Sequence, residues 1–474
     1  MLDGEGPGCA GAASRAEARG GVVKTVREAA REVPVIAETD VLVVGSGPGG
    51  LSAAVGAARA GAGTLLVERF GCLGGNITVV GVEAIAWYRR EGTVDSEGIG
   101  IELEQRAKAM GAASPEPQSR SSALHADMFK FVADELVREA GVTPLLHAVA
   151  IDVVLEGGAL RGVILHSKSG RGAVLARRIV DATGDADIAH YAGAPYRKTA
   201  RERMLPVTVL FSLAGVDRRR FLDYVAANPT RYRDWGNEWD IQKGGKEEDM
   251  FSPYLARPFD QARAEGVIPA GMKSIGGTWG TISESGEATY LNMIHLSGYD
   301  GTDVWDLTRA EIEGRAQGQQ AIRALTRFAP GFEKAHLRTY GMTVGIRDTR
   351  KIEGLYALTE HDVRNQARFD DSVGIFPEFI DGYGVLVLPT TGRYFEIPYR
   401  ALVPRRVDNL LVAGRCIGGD EISHAAVRSM MCCAVTGQAA GVAAAVSIRE
   451  GVEVRSVSIE RVQSELLRQG ARIH

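Results

Sequence analysis

Three glycines and one carboxylate carry the clearest chemistry in this chain of 474 residues. Gly45, Gly47 and Gly50 fall at G-x-G-x-x-G spacing, with Pro48 and Gly49 inside the same turn. At that spacing the first glycine makes a tight turn and the second lets the backbone approach a pyrophosphate. The third lets a helix pack closely on a strand. Glu68 stands where an acid, about 20 residues on, accepts hydrogen bonds from an adenosine ribose. The chemistry is recognition of a dinucleotide. The competing reading is a glycine-rich turn that binds nothing, and the surrounding residues decide between them.

Those residues supply the required context. Residues 41–44 are a short apolar run bounded by the glycine turn, the form of a strand buried on both faces of a parallel sheet. Residues 51–60 are mostly Ala and small side chains, a helix able to sit close to that sheet, with its free N–H groups and dipole favouring phosphate. Residues 65–67 make a second strand, and Glu68 ends it. After Arg69, the glycines Gly74 and Gly75, followed by Asn76, allow backbone to pass close to a ligand.

From here the chain resembles flavoproteins of the glutathione reductase and fumarate reductase superfamily, which carry a Leu-Gly-Gly segment just after the acid that binds the FAD ribose. The disulfide reductases among them place two redox cysteines at fixed offsets, which here fall on Ile77 and Val82, so the redox disulfide is absent. Cys72 reads as a buried free thiol, a reactive thiol or a flavin attachment point. Apolar runs at 148–155, 160–166 and 173–180, separated by Gly and Ser turns, form a β-meander. It leads into Ala182, Thr183 and Gly184, similar to the Ala-Thr-Gly that ends the returning strand in this superfamily; an ordinary strand end is the alternative. Segments 341–363 and 395–400 resemble a family of FAD-dependent oxidoreductases related to the fumarate reductase flavoproteins. Residues 409–414 make the last cofactor strand. The superfamily often has Gly-Asp there; this chain has Gly414-Arg415, which leaves Asp420 or Glu421 to take the ribityl contact. Residues 424–445 resemble the closing helix, whose N-terminus points at the pyrimidine edge of the flavin. That places Ser429, Met430 and Met431 at the ring.

The resemblance covers residues 22–448 and implies FAD as cofactor. It implies an α/β fold of the two-dinucleotide-binding kind: a Rossmann-like parallel sheet plus a β-meander, with an inserted α+β substrate domain. The expected division is an N-terminal arm and lead-in at 1–38, cofactor-domain parts at 39–195 and 398–448, a substrate domain at 196–397 and a tail at 449–474. Within it we expect an amphipathic helix at 123–140 with Met128, Phe131, Val132, Leu136 and Val137 inward. Strands are expected at 207–213 and 289–295, and a helix at 303–328. No second glycine fingerprint follows a strand, so no nicotinamide domain is encoded.

Composition limits the remaining classes. The length favours two or three domains. A net charge of −4 suggests no nucleic-acid surface. No apolar run is long enough to span a bilayer, the Ala-rich stretch at 434–448 being interrupted by Gly437, Gln438 and Gly441. Five cysteines in mostly apolar surroundings and no secretory signal suit a cytoplasmic location. Cys432 and Cys433 are adjacent and read as packed thiols. No metal-ligand spacing is present, and a homo-oligomer is left open.

A flavin enzyme needs a group to hold its substrate and a site for the departing proton. The candidates are His295, His424 and Arg347, with His361, Arg350, Arg393 and Tyr394 behind them. His424 either takes a proton near the flavin or is a packed, hydrogen-bonded histidine at a helix start. Arg347 and Arg350 share a face on a helix and oppose each other on a strand. One of them either holds an anionic substrate or stabilises reduced flavin; the alternative is a structural ion pair with Asp348 or Glu353. The expected function is hydride transfer between a small organic substrate and FAD, with dioxygen, a quinone or a redox protein as external partner. The alternative is a flavin-bearing electron-transfer subunit of a larger complex.

Overall fold

Hydrogen bonding and burial turn the expected strand–turn–helix–strand into the centre of a parallel sheet. The computed structural model describes residues 25–85, 95–115, 122–232, 240–242, 251–388 and 392–474; the expected arm at 1–21 lies outside the described residues. Strand β1 (Val35–Val44) leads through the glycine turn into helix α1 (Pro48–Arg59) and strand β2 (Thr64–Val67). Helix α2 (Ala126–Glu139) precedes strand β3 (Thr143–Leu145). The meander follows as β4 (Val149–Glu156), β5 (Ala159–Ser167) and β6 (Gly170–Asp181). The parallel order is β3-β2-β1-β6, extended by Leu410–Val412 on β6, while β5 pairs antiparallel with the first part of β6 and β4 antiparallel with β5.

Register sets up the site. Val44 pairs with Val67 and with Asp181, and Val412 also pairs with Asp181. The turns at Gly45, Glu68, Ala182 and Ala413 therefore leave the sheet at one edge, the carboxyl end where open α/β sheets bind ligands.

Residues 207–340 build a second body around an antiparallel sheet. Its main strands are β7 (Val207–Ala214), β8 (Ile275–Thr278), β9 (Ala288–Leu296) and, after helix α3 (Val304–Phe328), β10 (His336–Tyr340), ordered β8-β9-β7-β10. Asp303 caps α3, its carboxylate accepting from the amides of Trp305 and Asp306 at 2.8 and 3.1 Å. Phe211, Phe221, Phe259, Leu291 and Phe332 are in its own core. The apolar side chains between Ile352 and Leu388, within the stretch expected as substrate domain, instead pack in the core of the parallel sheet.

The chain returns through a hairpin, β11 (Ile380–Gly382) and β12 (Val385–Val387), to the last cofactor strand β13 (Leu410–Val412). The expected closing helix is two helices, α4 (Glu421–Val427) and α5 (Met430–Glu450). Ser429 breaks the run with extended backbone, φ −57° and ψ 136°, which starts α5 afresh. Helix α5 is long and apolar enough to cross a membrane by length and composition, yet 89% of its apolar window is buried inside the protein. It lies directly on α1: a Cβ on Gly437 would come within 2.0 Å of the Gly49 carbonyl oxygen, and one on Gly441 within 1.9 Å of that of Ala53. Only glycine allows that approach. On α2 the inward face is Phe129, Val132, Ala133, Leu136 and Val137. Met128 and Phe131, expected inside, are 44% and 54% exposed. Val132, Leu136 and Val137 face inward as expected; the helix starts at Ala126, because 122–124 form a strand instead, and in its first turns Phe129 takes the inward place.

Candidate functional site

A cavity of about 1460 Å³ runs from the carboxyl edge of the parallel sheet to the antiparallel sheet. That exceeds the roughly 300–1,000 Å³ of a single small-molecule pocket. Its sheet end is lined by Gly45, Gly47, Pro48, Gly49, Glu68, Arg69, Gly75 and Asn76, and by Ala182, Thr183, Gly184, Gly414, Arg415, Ser429 and Met430. Gly50, Gly74, Met431, Asp420, Glu421 and His424 are not on that lining.

The three fingerprint glycines exist for different reasons. A Cβ on Gly45 would sit 2.4 Å from the Ala182 carbonyl oxygen, and its φ is +97°. A Cβ on Gly50 would sit 1.7 Å from the Gly45 oxygen. Both are demanded by the protein's own packing. Gly47 is not: its φ is −61°, and a Cβ there would meet nothing within 4 Å. The space beside it is left open, at the N-terminus of a helix with no side-chain cap and no acid in its first turn. Such an end offers unpaired N–H groups and positive potential to an anion. Helix α5 presents a second N-terminus of the same kind, uncapped at Ser429 and without an acid in its first turn.

Glu68 is buried and organises the turn. One carboxylate oxygen accepts from the Ser46 amide and hydroxyl at 2.9 and 2.7 Å, the other from the Phe70 amide at 3.0 Å. At the end of β6, Asp181 accepts from the Thr183 amide and hydroxyl at 3.1 and 2.7 Å and from the Ala189 amide at 2.9 Å. Burial pushes this carboxyl up to about 6. Arg415 reaches Asp185 at 2.6 Å, and both line the cavity. The Arg415 Nε is buried without a partner. The acid nearest the Gly414-Arg415 turn is thus Asp185, which sequence reading missed although it directly follows Ala-Thr-Gly.

Asp420 and Glu421 correct the expected ribityl contact. Asp420 caps α4 through the Ser423 amide at 2.8 Å and also receives the Glu360 amide at 2.7 Å, while Glu421 pairs with Arg203. Neither carboxylate lines the cavity; Glu421 stands behind Arg203, which does. Met431 packs toward Gly100, on the other side of α5 from the lining. His424 is likewise corrected as a proton acceptor. Its ring nitrogens lie 3.1 and 3.0 Å from the main-chain oxygens of Arg415 and Arg347, and burial, with Lys351 nearby, holds it well below the ordinary histidine range. It is a buried brace between two loops.

His295 and Arg347 do reach the cavity, at its antiparallel end. Burial and then Arg347 push His295 down to about 3, so the ring is neutral; one nitrogen bonds the Gly276 main chain. Arg347 donates to the Pro206 oxygen at 2.7 Å and weakly to Asn292 at 3.4 Å. Among the described residues it has no carboxylate partner within ion-pair distance. Burial and then Arg428 pull it down to about 10, still charged at neutral pH. Arg350 diverges, bonding the Asp185 oxygen and Asp187, both at 2.9 Å. His361 is exposed, and Arg393 pairs with Glu378 at 2.6 Å, off the lining with Tyr394. A further polar chain on this wall is Tyr299–Glu313–Gln317–Ser274. No local motif announces it, because Tyr299 and Ser274 reach Glu313 and Gln317 of α3 from outside that helix.

Cys72, Cys416, Cys432 and Cys433 are free thiols. Cys433 touches the cavity, but burial pushes it up to about 12, so it is no nucleophile at neutral pH. Among the described residues no cluster of His, Cys, Asp or Glu is placed to hold a metal ion.

A family model described as FAD dependent oxidoreductase matches residues 40–466. The chain belongs to this family. FAD is its cofactor, and the protein is an enzyme of the flavoprotein oxidoreductase class. The Gly47 opening and the uncapped helix N-termini fit that cofactor from the protein's side. No curated protein matches the chain. Among solved structures it is similar to a geranylgeranyl bacteriochlorophyll reductase-like protein from Thermoplasma acidophilum, at 16% identity over 90% of this chain and 82% of that one, TM-score 0.45. It is also similar to a flavin-dependent brominase, at 14% identity over 88% and 81%, TM-score 0.43. A third is p-nitrophenol 4-monooxygenase from Pseudomonas putida, at 10% identity over 91% and 84%, TM-score 0.43. Likenesses this loose leave the reaction of this oxidoreductase to its own residues.

Proposed function

We propose that this oxidoreductase transfers a hydride between FAD and a small organic substrate bearing an anionic group, with dioxygen, a quinone or a redox protein as the external electron partner. One observation carries the reading. A single cavity joins the dinucleotide turn to Arg347, a half-buried cation that has no carboxylate of its own among the described residues. Leaving such a charge unpaired is costly unless a ligand pairs it.

In this reading the N–H groups at the start of α1 hold the pyrophosphate beside Gly47, and Glu68 takes the ribose. Arg415 and Asp185 border the ribityl chain, and Ser429 and Met430 border the ring. Bound there, FAD supplies the hydride acceptor or donor. Arg347 fixes the substrate's anionic group and so its orientation. His295, held neutral, is too weak a base to take the substrate's proton at neutral pH and serves as a hydrogen-bonding group on the wall beside Arg347.

The purified protein is expected to show a flavin spectrum. Acid precipitation then reports whether the colour is released or retained. Small organic acids added without oxygen are expected to bleach the flavin, and Arg347→Met is expected to raise the acid concentration required by at least about tenfold, the size of a lost charge-assisted bond. Bleaching by a redox protein alone, with no small molecule effective, would replace this reading with the electron-transfer subunit.

A further inference from the structure

The hairpin turn between β11 and β12 carries an unexpected residue. Gly382 pairs with Val385 across a two-residue turn, and both turn residues have positive φ, +53° at Tyr383 and +78° at Gly384. That is the geometry of a type I′ turn, whose first position is ordinarily Asn, Asp or Gly. A bulky aromatic there is strained, and such strain persists where the side chain has a task.

The side chain's contacts show what it does. The Tyr383 hydroxyl donates to Asp348 Oδ2 at 2.6 Å. Lys351 Nζ donates to Asp348 Oδ1 and, at 2.9 Å, to Thr199 Oγ1. The four side chains form a hydrogen-bonded chain, Tyr383–Asp348–Lys351–Thr199. Asp348, Lys351 and Thr199 are buried, and Tyr383 alone of the four lines the cavity. Against burial, which alone would raise it, the neighbouring charges and donors hold the Asp348 carboxyl below its ordinary range. An ionised carboxylate can only accept, so the phenol proton is committed inward. With its proton given to Asp348, the Tyr383 oxygen serves a ligand in the cavity as an acceptor only. Arg347, the residue before Asp348, lines the same cavity and has no carboxylate partner among the described residues.

We propose that Tyr383 is a specificity-determining residue that accepts a hydrogen bond from a hydroxyl group of the substrate, making hydroxy acids the substrate class. The acid half of this assignment rests on the reading of Arg347 above; the hydroxyl half rests on Tyr383. The buried Asp348–Lys351–Thr199 chain is the latch that keeps the phenol proton committed inward.

The test uses two pairs of probes that each differ by one hydroxyl, titrated into the holoenzyme while flavin absorbance is followed. Each enantiomer of mandelate is compared with phenylacetate, and benzyl alcohol with toluene. In the wild type, one mandelate enantiomer is expected to bind at least about tenfold tighter than phenylacetate. In Tyr383→Phe with normal flavin content the two are expected to bind alike. Thr199→Val, off the cavity, is expected to give an intermediate ratio, and it decides alone should Tyr383→Phe lose flavin. Equal binding of mandelate and phenylacetate in the wild type overturns the proposal, as does discrimination that survives in the variants. If neither acid binds the wild type, the anion reading has failed and the neutral pair decides. A preference for benzyl alcohol that vanishes in the variants then upholds the Tyr383 role, and no preference removes it.

Discussion

At Gly47 nothing in the folded chain forbids a side chain, and the backbone there is ordinary. The glycine is explained by what must lie beside it. Gly47→Val is therefore expected to fold, at a cost of up to about 1 kcal/mol for a poor helix N-cap, and to purify without flavin. Undiminished flavin absorbance in the purified variant would show that the pyrophosphate does not pass this residue. His295 and His424 make a second residue-scale prediction. Burial leads their causes and holds both below the ordinary value, His295 at about 3. In the unfolded chain each returns to about 6.5. Between those values the unfolded state binds protons that the native state refuses, so stability falls as pH drops below about 6.5. The limiting slope is about 1.4 kcal/mol per pH unit for each histidine. Urea unfolding of His295→Asn at pH 7 and pH 5 is expected to show a smaller loss than the wild type; an equal loss would mean His295 titrates alike in both states.

Among the elements, the contact of α5 on α1 has the least room. Gly437 and Gly441 meet the backbone of Gly49 and Ala53, so α5 holds the glycine turn in place from behind. A side chain at 441 must push the helices apart. Gly441→Val is expected to cost at least about 1–3 kcal/mol, the range for overpacking. It should also lower the flavin content of the purified protein, although residue 441 does not line the cavity. Thermal unfolding together with the flavin-to-protein ratio checks this; wild-type values of both would show that the two helices have slack. The break at Ser429 belongs to the same scale. One continuous helix would carry its N-terminus back to α4, whereas a fresh start at Met430 puts uncapped N–H groups against the cavity.

Across the whole molecule, the cavity lies between two bodies with separate hydrophobic cores. Its sheet end recognises a dinucleotide with main-chain groups, and its other end is set by side chains from residues far apart in the chain. Arg347 is thus expected to govern the response to organic acids, and Gly47 to govern whether flavin is present at all. A molecule that binds only the native state stabilises it by mass action, by about 2.7 kcal/mol at 100 times its dissociation constant.

The residues alone determined what depends on local pattern. The glycine turn with its strands, the meander within three residues at each end, the strands near 207–213 and 289–295 and the long helix near 303–328 could all be read from periodicity and turn chemistry. Through the resemblance, so could the cofactor. Tertiary structure decided the pairings between distant residues. Arg415 meets Asp185 across 230 positions of sequence, and Gly441 meets Ala53 only once α5 lies on α1. His424 and Asp420 had the right chemistry for a site, but hydrogen bonds to nearby loops turned them away from the cavity. Tyr383 gave no signal in sequence, because its meaning lies in a left-handed turn and a buried chain of partners that come together only in the folded chain.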